Sequence, residues 1–331
     1  MTSRSIPKTV RAALSALCVL VTASGVWAPS AQAQSASFPS RPITMVVPYP
    51  PGATDLEARR IAELASRALG QNIIVTNRTG AGGAIGAQSV ASSAADGYTL
   101  LYAAPAVVTI VPLLGNAPYR YEDLLPLARI TASPHVLAAR ADAPFSNVQE
   151  LIKYGRANPG KIVFGSSGSG TAVHLAGEGF AEAAGLQLNH VPHRGLAPAI
   201  TAALGGFVDL VIGLPVAIGP QVQAGKLRAI AQFGAGRAPG LDEVPTLKES
   251  GVNLVLGVDI GVFAPSGVPA AVVRRIEEAL AAAVRSDEFK AFAAKARSTP
   301  GYLDSTAYRA VVENERKLYA RLVPALKLKS N

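Results

Sequence analysis

Three groups of residues in this 331-residue chain have types and spacings that could do chemistry. The first is the four histidines, His135, His174, His190 and His193, a residue type suited to acid–base work and metal ligation. None stands in an HExxH or His-x3-His pattern, and with Cys18 as the one cysteine the usual zinc ligand sets are missing. The second is Gly165-Ser166-Ser167-Gly168-Ser169-Gly170, in which Gly-x-Ser-x-Gly fails in every register and the Lys-Ser/Thr ending of a phosphate loop is absent. An exported α/β hydrolase stays open, with Ser167 or Ser169 as nucleophile and His174 or His193 as base. It requires a Ser–His hydrogen bond backed by an acid. The third is Gly80 to Gly86, where Ile85 replaces a glycine of the dinucleotide fingerprint and no acidic residue follows about 20 positions on. A nucleotide site is not supported.

The elements that must position these groups alternate between strand-like and helical sequence. Ile43–Val47, Ile73–Val75, Tyr98–Leu101, Lys161–Phe164, Leu188–Val191, Val208–Ile212 and Leu227–Phe233 read as strands, and Val262-Phe263 precedes a helix beginning at Pro269. Between them, Asp55 opens a helix with Leu56, Ile61, Leu64, Ala65 and Ala68 on one face and Gly70 as its stop. Ser146 with Gln149 forms a capping box, and Ser286 and Ser305 cap two later helices. This alternation predicts α/β architecture with largely parallel sheets covered on both faces.

In such sheets ligands bind beyond the carboxyl ends of strands. The loops there are rich in small residues: Tyr49–Asp55, Asn77–Gly83, Ala103–Ala106, Gly165–Thr171 and His193–Gly195. Short side chains let backbone amides approach a ligand, and helix N-termini favour anions. Each loop alone is equally a set of turns. Five at one sheet edge point to a binding cleft.

Composition narrows the classes further. The net charge is +9, from 31 Lys+Arg against 22 Asp+Glu, but the basic residues are scattered and no nucleic-acid motif appears. With 49% hydrophobic and 16% charged residues the chain is not disordered. Arg4, Lys8 and Arg11, the apolar run Ala12–Val26 and Ala31-Gln32-Ala33 form a secretory signal pattern, with cleavage expected after Ala33. The run is short of the roughly 20 residues of a spanning helix. Cleavage removes Cys18, Trp27 and three positive charges, so the exported body has no disulfide and a charge of +6.

The loops also carry a resemblance. Phe38-Pro39-Ser40-Arg41-Pro42-Ile43, Val46-Val47-Pro48-Tyr49-Pro50-Pro51-Gly52, Asn77-Arg78 with Gly80-Ala81-Gly82-Gly83, and Asp96-Gly97-Tyr98-Thr99-Leu100-Leu101 come first. Ala157-Asn158-Pro159-Gly160-Lys161, Ser166–Thr171, His174-Leu175-Ala176-Gly177-Glu178, Val191-Pro192-His193-Arg194-Gly195 and Gly205-Gly206-Phe207-Val208-Asp209 follow, then Asp242-Glu243-Val244-Pro245-Thr246 and Gly261-Val262-Phe263-Ala264-Pro265. In this order they resemble the periplasmic receptors of tripartite tricarboxylate transporters, the Bug-type family. The resemblance implies a two-domain periplasmic-binding-protein fold, type II-like, with a ligand cleft between the domains. Domain 1 would comprise residues 34–133 and 257–331, and domain 2 residues 134–256. It implies hinge closure on a small solute, an organic acid or an amino-acid-like molecule, with no catalysis, cofactor or metal. The partners would be the membrane components of a tripartite transporter or a sensor partner, and the receptor itself a monomer in the periplasm.

The expected ligand contacts are Tyr49, Gly52, Ala53, Thr54 and Asp55 of the first loop and Ala104 and Pro105 after the third strand. Ser166, Ser167, Gly168 and Thr171 form the Ser-Gly loop, and His193, Arg194, Gly213 and Asp259 complete the set. Several of these depart from the family pattern. Pro50-Pro51-Gly52-Ala53-Thr54-Asp55 is one residue shorter than usual, and Ala104–Val111 is mostly apolar where polar groups are common. His193 replaces Tyr, Gly213-Leu214 replace Asp-Asn, and Asp259 replaces Trp. Asp259 either contacts an amine on the solute or pairs with Arg194, because a buried unpaired carboxylate is costly.

Overall fold

A computed structural model describes residues 38–328 except Asn116, Pro239 and Arg297; the export segment read over Met1–Ala33 lies outside the described residues. In chain order the elements are β1 (Ile43–Val47), α1 (Ala53–Leu69), β2 (Ile73–Asn77), α2 (Ala84–Ala91), β3 (Thr99–Ala103), α3 (Ala106–Thr109), β4 (Leu124–Pro134) and β5 (Val136–Arg140). Then come α4 (Val148–Ala157), β6 (Val163–Ser166), α5 (Ala172–Ala184), β7 (Asn189–Pro192), α6 (Leu196–Leu204), β8 (Leu210–Gly213), α7 (Pro215–Gln223) and β9 (Leu227–Gln232). The chain ends with β10 (Gly257–Pro265), α8 (Ala270–Arg285), α9 (Asp287–Ala296), β11 (Pro300–Leu303) and α10 (Ser305–Ala325).

Two sheets result, ordered β11-β4-β10-β3-β1-β2 and β7-β6-β8-β5-β9. They are not largely parallel as expected. β1 runs parallel to β2 and β3, and β6 to β7 and β8, whereas β10 with β3 and β4, β11 with β4, and β5 with β8 and β9 pair antiparallel. The difference comes from β4 and β5, which the sequence conceals. Leu124–Arg140 is a nearly unbroken extended stretch interrupted by Pro126 and Pro134, without the polar turn that would announce two strands.

The chain crosses between sheets at His135 and returns between β9 and β10. The crossing backbones are tied together, with the Phe233 N–H donating to the His135 carbonyl at 2.9 Å and the Leu256 N–H to that of Phe233 at 2.8 Å. Gly257 permits this closeness: a Cβ there would lie 2.9 Å from the Ser133 carbonyl oxygen.

Each sheet has apolar residues on both faces, as βαβ connections require. Ile43, Met45, Leu100, Tyr102 and Val262 pack with Ile61, Ala65, Ile276 and Leu280 of α1 and α8. On the opposite face Leu101, Ala103 and Phe263 meet Val90, Tyr308 and Val312. Around the second sheet, Leu137, Phe164 and Ile212 pack with Leu175 and Phe180 of α5. Helix α10 belongs to both bodies, since Tyr308 and Val312 lie in the first core and Leu318, Tyr319 and Leu322 in the second.

Local signals held in most places and slipped in a few. Gly70 closes α1 in the left-handed region at φ 72°. The buried face of α1 runs through Glu57, Ala58, Ile61 and Ala65, while Leu56 and Ala68, read as core-facing, are exposed. Ser286 caps α9, its Oγ accepting from the Phe289 N–H, but the other two caps sit one residue away, at Asn147 for α4 and Asp304 for α10.

Candidate ligand-binding site

A cavity of about 760 Å³ lies between the two sheets. On one side are Ala53, Thr54 and Glu57 at the start of α1, and on the other Leu214, Pro215, Val216 and Gly219 at the start of α7. Thr131 and Ser133 of β4 and Val258 and Ile260 of β10 line it between these helices, and Leu241, Lys290, Ala294 and Ser298 extend the wall. Most of this surface is apolar, with a small set of converging polar groups, the usual make-up of a small-molecule site.

The first turns of α1 hold two buried carboxylates, Asp55 and Glu57, followed by Arg59 and Arg60. Asp55 is buried, its Oδ2 accepts from Arg59 Nε at 3.0 Å, and that bond holds its carboxyl below the usual range, although its Oδ1 has no partner among the described residues. Glu57 is 6% exposed and takes hydrogen bonds from the Tyr102 hydroxyl at 2.7 Å and the Thr131 hydroxyl at 3.0 Å. Sequence reasoning missed Glu57, because a charged residue beside Leu56 on a surface helix reads as solvent-facing. The first turn of α7 carries no acidic residue, so its amide dipole is uncompensated there.

The expected contact residues fall into three places. Ala53 and Thr54 line the cavity, and Gly213 directly precedes Leu214 but is itself buried against Leu196. Gly52, the N-cap residue of α1, is exposed. Tyr49 lies beside Ala104, whose N–H donates to its hydroxyl at 3.3 Å, and Asn77 Nδ2 donates to its carbonyl at 3.0 Å. Burial raises the Tyr49 phenol above its ordinary value. Pro105 leads into α3, whose Val107 and Val108 are buried in the first body while Ile110 packs in the second. The apolar character of Ala104–Val111 is therefore a packing requirement.

The Ser-Gly loop forms a third cluster held by its own bonds. Thr171 Oγ1 caps α5, accepting from the His174 N–H at 3.3 Å, and donates to the Gly168 carbonyl at 2.7 Å. Ser167 Oγ donates to Thr171 Oγ1 at 3.3 Å, and the His193 N–H donates to the Ser166 carbonyl at 3.0 Å. Ser166 is fully buried, its Oγ 2.6 Å from His190 Nε2, and desolvation lowers His190 to about 4. His190 stacks on His174 at 3.8 Å, whose Nδ1 accepts from the Gly170 N–H. Neither Ser167 nor Ser169 bonds to His174 or His193 among the described residues, so the hydrolase geometry is not formed. Nor does a group of three or more His, Cys, Asp or Glu among those residues stand where it could hold a metal ion.

Asp259 requires a correction. Its neighbours Val258 and Ile260 line the cavity, so strand alternation turns its side chain to the opposite face. There it pairs with Arg129, Nη1 to Oδ2 at 3.1 Å, not with Arg194, which is exposed and forms no ion pair among the described residues. Burial outweighs that pairing and raises the Asp259 carboxyl. Arg129 escaped the sequence reading because β4 was not recognised as a strand.

Residues 57–328 match the family model described as "Tripartite tricarboxylate transporter family receptor". The chain belongs to this family. Its relatives include the "UPF0065 protein in gbd 5'region" of Cupriavidus necator, 38% identical over 86% of this chain and 87% of that protein, and BugT of Bordetella pertussis, 33% identical over 94% and 96%. Among solved structures, a TctC solute-binding protein from Polaromonas superposes with a TM-score of 0.82 at 30% identity, covering 87% of this chain and all of that one. Rpa4515 of R. palustris, solved with adipate, gives 0.63 at 30% identity over 88% and 99%. The chain therefore has the Bug-type, two-domain periplasmic-binding-protein fold, and its family consists of receptors for small organic acids that work with membrane transport components.

Proposed function

We propose that this receptor takes a small organic carboxylate into the cavity between the first turns of α1 and α7 and delivers it, chemically unchanged, to the membrane components of a tripartite transporter. The observation that carries the reading is the cavity itself: two helix N-termini from different sheets face one space of about 760 Å³. The helix dipole at the start of α7 suits a carboxylate, and Lys290, paired with Asp287 at 3.1 Å, stands at the wall. The adipate found in Rpa4515 supports the same ligand class.

In this reading the protein acts as a monomer in the periplasm after cleavage behind Ala33. Domain 1 comprises residues 34–133 and 257–331 and domain 2 residues 134–256, and they rotate about the crossing at His135. The buried Ser166 and the loop-bonded Ser167 argue against covalent chemistry. Thermal unfolding with malate, adipate and longer or branched monocarboxylates tests the proposal: a binding solute raises the midpoint with concentration. Recovered ligand of unchanged mass is expected. Absence of any shift across the set, or conversion of the ligand, overturns it.

A further inference from the structure

We propose that Glu57 is the group that reads a positive charge on the solute, so that the cavity takes an amine-bearing carboxylate with an apolar body. The inference rests on the cavity's being the solute site and adds the substrate class.

Glu57 is buried and lines the cavity, and no Lys, Arg or His pairs with it among the described residues. Both of its hydrogen bonds, from Tyr102 and Thr131, converge on Oε1. Oε2 accepts none among the described residues. That oxygen keeps solvent contact at the cavity, where a cation or donor on a solute can reach it. The two fixed hydroxyls hold the group in one orientation, which is what a recognition residue needs.

The ends of the cavity differ in charge. At the α1 end the lining carboxylate is Glu57, and Lys290 of the adjoining α9 is paired with Asp287, whereas the α7 end has no acidic residue in its first turn. A solute carboxylate is repelled from the first and accepted at the second, which places an amine toward Glu57. Between the ends, Val216, Leu241, Val258 and Ile260 offer apolar wall to the body of the solute. The other carboxylate of these turns, Asp55, is paired with Arg59 and does not line the cavity, which leaves Glu57 to meet the amine.

Matched probes with the two charges at opposite ends test this by calorimetry on the purified protein: 6-aminohexanoate against hexanoate, and 4-(aminomethyl)benzoate against 4-methylbenzoate. Each pair differs only in the amine. The expected result is binding of the amino acid about tenfold or more tighter than its partner, as one charge-assisted hydrogen bond gives. Glu57→Gln keeps an oxygen for Tyr102 and Thr131 while removing the charge. It should weaken the amino acids about tenfold and change the amine-free acids less than about threefold.

Equal affinity within each pair for the parent protein overturns the Glu57 assignment and leaves the carboxylate receptor standing. An amine preference that survives in Glu57→Gln also overturns it. Failure of all four probes together with malate and adipate overturns both readings. The comparison within each pair uses the unaltered protein, so the proposal stays falsifiable even if the variant folds poorly.

Discussion

Arg129 Nη1 lies 3.1 Å from Asp259 Oδ2 across β4 and β10, while Arg129 Nε donates to the Gly301 carbonyl at 2.7 Å. One guanidinium thus joins three adjacent strands, β10, β4 and β11, on the face turned away from the cavity. Removing the carboxylate leaves a half-buried cation short of a partner. Asp259→Ala should cost about 2–3 kcal/mol in urea unfolding, below the range for a fully buried pair because Arg129 keeps some solvent contact. Solute affinity should change less than about twofold. A loss of affinity larger than the loss of stability would return Asp259 to the binding site.

Glu315 of α10 is buried near Asp259, and desolvation followed by the Asp259 charge raises its carboxyl well above 4.5. The folded chain therefore holds this proton more tightly than the unfolded chain. The resulting stability is fully present below the ordinary carboxylate value and is lost as pH rises through the raised one. Glu315→Gln, neutral at every pH, should be more stable than the parent at pH 8 by about 1–2 kcal/mol, with the gap closing as pH falls toward the normal Glu value. Unfolding midpoints of both proteins across that range measure it, and a pH-independent gap would contradict it.

His135 has the opposite sign. It is fully buried at the crossing, both ring nitrogens lack partners among the described residues, and desolvation lowers it from 6.5 to about 4. A depressed histidine contributes stability that is present above 6.5 and lost as pH falls through about 4. His135→Leu should keep about 1–2 kcal/mol near pH 4 that the parent loses, relative to their difference at pH 7.5. His190, also lowered to about 4, leaves part of the acid sensitivity in place. Parallel acid-unfolding curves for parent and variant would rule the effect out.

Gly86 shows why the glycines of Gly80–Gly86 are present without a nucleotide. A Cβ there would lie 2.8 Å from the Arg78 carbonyl oxygen and 2.8 Å from Pro48 Cβ, so α2 can approach β1 only if this residue has no side chain. Gly86→Ala should destabilise by about 1–3 kcal/mol through overpacking. Denaturant unfolding with an unchanged slope and a lower midpoint is the expected signature.

These residues show what a one-dimensional reading can and cannot reach. The stop at Gly70 was legible because a left-handed residue at a helix end favours glycine. The α/β alternation was legible because βα units repeat a local pattern. β4 was not, because its pairing with β10 and β11 is set by residues more than a hundred positions away. Without β4 there was no Arg129 to partner Asp259. Glu57 was hidden differently: a shift of one residue in the helix face exchanged it with Leu56, which is 59% exposed. Ala53 and Thr54 line the cavity, and small residues at a helix start carry a backbone signal that needs no tertiary information.

Helix α10 has a mechanical consequence. Tyr308 and Tyr319, anchored in different bodies, are eleven residues apart on one rod, a span of about 16 Å. Any rotation of one sheet against the other must bend that rod or slide one anchor in its socket. On the proposed hinge motion the helix would act as a spring joining the two cores, its stiffness opposing closure and hastening reopening. Residues such as Leu318, with no place in the cavity, can on this account set how long a solute is held.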